Sequence, residues 1–261
     1  MSNDGTNATI IERLPVNETH WIIRVKPDDN QFPIFEPGQY VELGIPDHRI
    51  ENSSSKKFLR RYYSIASSVS NHEYVEFYLV AVEQGMVSPT IVHLPTDSRV
   101  YFGNKTKGKF TVAGVPENKN LLMIATGTGL APYLSIYRSF HDQNRWKTMT
   151  IVHGVRYSDD LGYREELERL AKEDANFFYL PAITREAERS NWKGLVGRVT
   201  QLVKDKSIQQ ITGIEYSPEN CHVFLCGNPY MVEALEEYCL TTGFKKHTTH
   251  HPGNLHFERY W

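Results

Sequence analysis

Leu121-Leu122-Met123-Ile124-Ala125-Thr126-Gly127-Thr128-Gly129-Leu130-Ala131-Pro132 is where the chain changes character. Its first five residues are apolar without alternation, as in a strand covered on both faces of a parallel sheet. Gly127 and Gly129 allow a tight turn that a ligand can approach closely. The helix expected over residues 131–140 points its N-terminus at that turn, where an anion is favoured. Pro132 stands where G-x-G-x-x-G needs its last glycine, so that dinucleotide pattern is not met. A plain structural turn would use the same glycines.

Downstream, apolar runs alternate with helical patterns. Strands are expected at 148–153, 177–183 and 223–226, with helices near 160–173, 196–204 and 230–240. This alternation predicts an α/β doubly wound parallel sheet. Upstream the pattern is different. Short strands at 8–13, 19–25, 73–82 and 99–102 and a turn followed by a strand over 35–43, punctuated by Pro and Gly, predict an antiparallel β-barrel with one brief helix near 88–94. The polar stretch 114–120 separates the two, giving domains 1–114 and 115–261.

At 261 residues, 40% apolar and 23% charged, the composition is that of a globular protein. A net charge of −2 gives no case for nucleic acid or a membrane surface, and no run approaches the roughly 20 apolar residues of a membrane span. The polar N-terminus lacks the regions of a signal peptide. Three cysteines, Cys221, Cys226 and Cys239, fit a reducing compartment. A cytoplasmic location follows as the expectation.

Arg60-Arg61-Tyr62-Tyr63-Ser64 suits a flat ligand that carries phosphate. Arginine can fork onto a diphosphate, tyrosine can stack on rings, and serine can hydrogen-bond a ring nitrogen. An ordinary strand would also favour tyrosine. Met86, Val87 and Ser88 precede Pro89, and Ser88 reads as a helix cap whose free amides would hold pyrophosphate. Cys226-Gly227-Asn228-Pro229-Tyr230 follows the last apolar strand, where open α/β sheets bind ligands. Arg156, Arg185 and Arg198 end neighbouring elements, a pattern that accommodates a ribose 2′-phosphate. His247, His250, His251 and His256 lack a carboxylate or cysteine at ligand spacing, so no metal site is expected.

Arg-x-Tyr-Ser, Gly-x-x-Ser, Gly-Thr-Gly-x-x-Pro, Cys-Gly-Asn-Pro-x-Met and an aromatic end occur here in that order. Together they resemble the ferredoxin–NADP reductase family, and within it the bacterial ferredoxin/flavodoxin–NADP reductases. The resemblance implies an FAD-binding barrel followed by an NADP-binding α/β domain. It assigns Arg61, Tyr62, Tyr63 and Ser64 to FAD, with Tyr78, Leu79 and Val80 beside the flavin and Met86, Val87 and Ser88 at the pyrophosphate. Thr126, Tyr260 and Trp261 complete that set, Tyr260 covering the flavin. To NADP it assigns Gly127, Thr128, Gly129, Val155, Arg156, Thr184, Arg185 and Arg198, then Cys226, Gly227, Asn228, Pro229 and Tyr230. Ser64, Cys226, Glu258 and Tyr260 are the residues expected to tune the transfer.

The implied activity is electron transfer between NADPH and a ferredoxin or flavodoxin by a monomeric enzyme. Lys56, Lys57, Arg60, Lys105, Lys107 and Lys109 could steer these acidic carriers, and an ordinary solvated face would carry the same lysines. The alternative is a flavin reductase or a hydroxylase reductase component. The absence of a Cys-x4-Cys-x2-Cys run argues against a fused iron–sulfur reductase.

Overall fold

The computed structural model describes residues 5–47, 58–185 and 191–259. It divides into two compact units. The first runs to Thr111 and includes Leu134–Ser139; the second comprises Val112–Tyr133 and the chain from Phe140 onward.

The first unit is an antiparallel sheet of β1 (Ala8–Pro15), β2 (His20–Pro27), β3 (Tyr40–Pro46), β4 (Phe58–Ser64), β5 (Val75–Val80) and, after helix α1 (Ser88–His93), β6 (Arg99–Phe102). Their spatial order is β4-β3-β6-β1-β2-β5. An isolated antiparallel bridge between Ile65, just past β4, and Phe77 of β5 brings the two edges together and closes the barrel. Alternation along the strands sends Ile10, Ile23, Leu43, Phe77 and Leu79 into one core, capped by Ile91 and Val92 of α1. Glu76, on the opposite face of β5, is 1% exposed and sits between Arg24 and Arg138 at 2.7 and 2.6 Å. Burial alone would raise its pKa, but the two guanidinium groups outweigh it and hold the carboxyl below its usual range.

The second unit begins with β7 (Asn120–Thr126), the first turn of α2 (Ala131–Phe140), whose residues Leu134–Ser139 belong to the first unit, then β8 (Thr148–Val155), α3 (Arg164–Glu173), β9 (Phe177–Ile183) and β10 (Leu195–Val196). It continues with α4 (Val199–Lys204), α5 (Ser207–Thr212), β11 (Cys221–Gly227), α6 (Pro229–Thr241) and β12 (Leu255–Arg259). All six strands are parallel, in the order β10-β9-β8-β7-β11-β12. The chain winds outward from β7 to β10, then returns to the other side of β7. The switch point therefore lies between β7 and β11, and doubly wound sheets bind ligands at the carboxyl ends there. Tyr133, fully buried, places its hydroxyl 3.0 and 2.9 Å from the carbonyl oxygens of Ile124 and Phe224 on those two strands.

Both fold classes expected from sequence are present. Two of the expected helices start later than expected. Val196 ends a two-residue strand, and the helix expected from it starts at Val199. The helix expected from 160 starts at Arg164, because Tyr163 sits at φ 62° and breaks the path from the 3-10 turn Ser158–Asp160. Helix α5 and strands β10 and β12 are additional. Strand β12 (Leu-His-Phe-Glu-Arg) carries too little apolar character to stand out, and its pairing with β11 makes it a strand.

No helix among the described residues is long and apolar enough to cross a membrane.

Candidate functional site

Two turns meet at the switch point. After β7 the chain makes a 3-10 turn, Gly127–Leu130, with Gly127 at φ +53°. After β11 it turns at Gly227, φ +127°, into α6. Each turn forms the other's wall. A Cβ on Gly129 would stand 2.4 Å from the Cys226 carbonyl oxygen, and one on Gly227 would stand 2.3 Å from Thr126 Oγ1. The Asn228 N–H donates to Thr126 Oγ1 at 2.8 Å. The Asn228 side-chain oxygen caps α6, accepting from the N–H groups of Tyr230 at 2.9 Å and Met231 at 3.4 Å. Gly129 and Gly227 thus serve the approach of one turn to the other. Of these three glycines, Gly127 alone faces open space, since a Cβ there would meet nothing within 4 Å. Tyr230, next to Pro229 in the first turn of α6, is 81% exposed.

Cys226 and Glu258 are register partners on β11 and β12. The Cys226 side chain is fully buried, whereas Glu258 is half-buried.

Along the carboxyl ends on the other side of β7 lie Arg156, Arg185 and Arg198. All three are exposed, and their guanidinium groups form no ion pair or hydrogen bond with the described residues. Their backbones are held together. The Arg156 carbonyl accepts from Thr184 and Arg185, the Gly197 N–H donates to Ile183, and the Thr184 hydroxyl donates to the Val155 carbonyl at 3.3 Å. Arg198 is the extended residue that starts α4. Three uncompensated cations on adjacent strand ends attract a multiply charged anion such as a phosphate.

In the first unit, alternation puts Arg61 and Tyr63 on one face of β4 and Tyr62 on the other. Arg61 is exposed. Tyr63 is half-buried against Phe77, ring centroids 6.4 Å apart, and its hydroxyl is 2.7 Å from Ser88 Oγ. Burial pushes the phenol up to about 12, against the opposing effects of Ser88 and Arg61. Ser64 is 7% exposed at the end of the strand. The structure brings Tyr63, Ser88 and the neighbouring Val87 and Met86 together. It does not bring Tyr62 to them, since that ring packs on Tyr40 at 5.2 Å and lies under the Lys107 ammonium at 4.7 Å. Tyr78 and Val80 share a face of β5, while Leu79 and Val87 point into the barrel core, so only their backbones can face a ligand.

Ser88 is not the helix cap that the sequence suggested. Val87 holds that position, α1 has six residues, and the Ser88 hydroxyl is turned to Tyr63. Lys56, Lys57, Tyr260 and Trp261 lie outside the described residues. An open groove of about 1130 Å3 in the first unit, lined in part by Phe32, Ile34, His72 and Tyr74, includes none of the expected site residues.

The sequence did not single out His153 or His222, and His247 and His256 were weighed there only as metal ligands. His153 is fully buried beneath the Gly127 turn, and its signal is a histidine that ends an apolar strand just before a glycine. His222, His247 and His256 form a stack on Phe224, with His256 parallel to that ring at 4.2 Å and Nε2 3.0 Å from His222 Nδ1.

The donor sets fit an adenine dinucleotide and a flavin. The second unit offers three free guanidinium groups, an open glycine turn and a capped helix N-terminus at a switch point. The first offers an exposed arginine beside a ring face and two hydroxyls.

The Oxidoreductase NAD-binding domain family matches residues 123–237. Fold and turns therefore define a nicotinamide-nucleotide type of oxidoreductase. A flavodoxin/ferredoxin–NADP reductase of Escherichia coli K12 is 32% identical over 229 residues, covering 87% of this chain and 88% of that protein. Its counterpart in Buchnera aphidicola of Schizaphis graminum is 30% identical, with the same coverage of both chains. A ferredoxin NADP+ reductase from Neisseria gonorrhoeae, solved with bound FAD and NADP, superposes with a TM-score of 0.86 at 25% identity, over 97% of this chain and 98% of that one. The chain belongs to the flavodoxin/ferredoxin–NADP reductase family.

Proposed function

We propose that residues 1–114 hold FAD and residues 115–261 hold NADP, and that the enzyme passes electrons between NADPH and a ferredoxin or flavodoxin. The observation that carries the choice of NADP is the set of three unpaired arginines, Arg156, Arg185 and Arg198, on adjacent strand ends. A 2′-phosphate is the anion that such a set selects over a ribose hydroxyl.

FAD, when bound, exchanges electron pairs with the nicotinamide and single electrons with the protein carrier. The chain supplies the rest. Arg61 neutralises the diphosphate of the flavin cofactor, Tyr63 offers its ring face, and Ser64 and Ser88 orient the ligand by hydrogen bonds. Tyr78 and Val80 flank it. The Gly127 turn and the start of α6 hold the nicotinamide-side phosphates and ribose, with Asn228, Pro229 and Tyr230 as the wall. Cys226 and Glu258, adjacent across two strands, shape the surroundings of the reacting ring. Arg60, Lys105, Lys107 and Lys109 steer an acidic carrier, and the enzyme works as a cytoplasmic monomer.

The test is steady-state reduction of purified ferredoxin and of purified flavodoxin with NADPH and with NADH. Efficient turnover with NADPH and a much higher KM for NADH is expected. Equal use of both nucleotides would overturn the arginine assignment, and heat release of FMN in place of FAD would overturn the cofactor assignment.

A further inference from the structure

His153 lies on β8 opposite Ala125, two residues before Gly127. Its side chain is fully buried. Nε2 is 3.0 Å from the Gly127 carbonyl oxygen, and Nδ1 is 3.2 Å from the Tyr179 hydroxyl on β9. A carbonyl oxygen can only accept, so Nε2 carries the ring proton. Nδ1 is then the acceptor and the Tyr179 hydroxyl the donor. In this tautomer the imidazole directs its Nε2 N–H at the carbonyl of the turn.

The target matters because of peptide geometry. In a planar trans peptide the carbonyl and the following N–H point in opposite directions. Drawing the Gly127 oxygen down onto His153 therefore turns the Thr128 N–H away from the sheet, over the switch point. Gly127 has the freedom to comply, being a glycine at φ +53° with open space around it. Without the histidine the same freedom would let this peptide rotate.

We propose that His153, backed by Tyr179, is a positioning residue for nucleotide binding, locking the Gly127–Thr128 peptide so that the Thr128 N–H presents to the nucleotide phosphates. The proposal rests on the reading of the second unit as the nucleotide site. It assigns His153 no contact with the ligand and no part in the transfer itself.

His153→Gln and His153→Asn separate this role from packing. A glutamine amide reaches the Nε2 position and can still donate to Gly127, whereas an asparagine amide reaches only the Nδ1 position. For H153N the KM should rise on the order of 10-fold for NADPH and NADH alike, the scale of one buried hydrogen bond. Its kcat and flavin spectrum should stay near wild type, and H153Q should stay within about twofold of wild type throughout. The common factor for both nucleotides distinguishes His153 from Arg185 and Arg198, whose alanine variants should affect NADPH alone. Equal KM values in H153N and H153Q, with the arginine variants behaving as expected, would overturn this proposal and leave the functional reading intact. Failure of the wild type to use either nucleotide would overturn the functional reading first. Nitrogen chemical shifts of the labelled wild-type enzyme give a check that needs no variant: the neutral His153 ring should carry its proton at Nε2, and a proton at Nδ1 would refute the mechanism.

Discussion

The Thr126 hydroxyl accepts the Asn228 N–H at 2.8 Å, joining the turn after β7 to the turn after β11. These turns are 102 residues apart in sequence and together form the floor of the switch point. Replacing Thr126 with valine keeps the shape and removes the acceptor. The Asn228 N–H then loses its partner, at a cost of roughly 1 kcal/mol or somewhat more. T126V should lower the denaturant midpoint modestly and raise the KM for NADPH, and T126S should restore both. An unchanged KM in T126V would show that the tie is only structural.

Arg185 and Arg198 give a test of nucleotide choice. Each contact with a 2′-phosphate is charge-assisted and worth roughly 1.5–3 kcal/mol. R185A and R198A should each raise the KM for NADPH by about 10-fold or more while NADH kinetics stay the same. Parallel losses with both nucleotides would mean that the arginines hold a shared part of the ligand.

The three glycines should differ sharply in tolerance. Gly227→Ala meets both a positive φ and Thr126 Oγ1 at 2.3 Å, and Gly129→Ala meets the Cys226 carbonyl at 2.4 Å. Each should cost roughly 3 kcal/mol or more. Gly127→Ala has open space and pays only for its left-handed backbone, roughly 1–2 kcal/mol. Denaturant titration orders them, and a G127A variant as unstable as G227A would contradict the geometry.

Acid should weaken the second unit through the histidine stack. Burial, aided by Lys119 and His247, lowers His222 to about 4; burial, aided by His247 and His222, lowers His256 to about 3. Both stay neutral when folded but gain protons near pH 6.5 when unfolded. The unfolded chain therefore binds more protons below that pH. The stabilisation is complete above about pH 6.5 and is lost as pH falls toward the folded values, by up to roughly 1.4 kcal/mol per pH unit for each imidazole. Unfolding midpoints at pH 7 and pH 5 measure the slope. His256→Phe, which preserves stacking on Phe224, should flatten it; an unchanged slope would place the acid sensitivity elsewhere.

The division into a barrel and a doubly wound sheet was legible because its signals are local. Buried parallel strands are unbroken apolar runs, and barrel strands alternate between turn residues. The glycine turns and arginine positions were legible for the same reason. What escaped depends on register. Nothing near His153 in sequence tells that its partner is a carbonyl 26 residues earlier. Nothing near Ser88 tells that its hydroxyl goes to a tyrosine on β4 and leaves the helix uncapped. Strand β12 exists by virtue of β11 beside it, and its own composition gives little sign of it.

Gly129 and Gly227 also define what a redesign of cofactor preference can and cannot change. Each turn occupies the volume a side chain on the other would need, so neither position can accept a larger residue unless both backbones are rebuilt together. The arginines are under no such mutual constraint. Their backbones are fixed by sheet hydrogen bonds, and their side chains reach into solvent. If the arginines hold the 2′-phosphate as proposed, selectivity is separated from foldability: exchanging Arg185 or Arg198 would change nucleotide preference while the mutually locked floor of the turns keeps its shape.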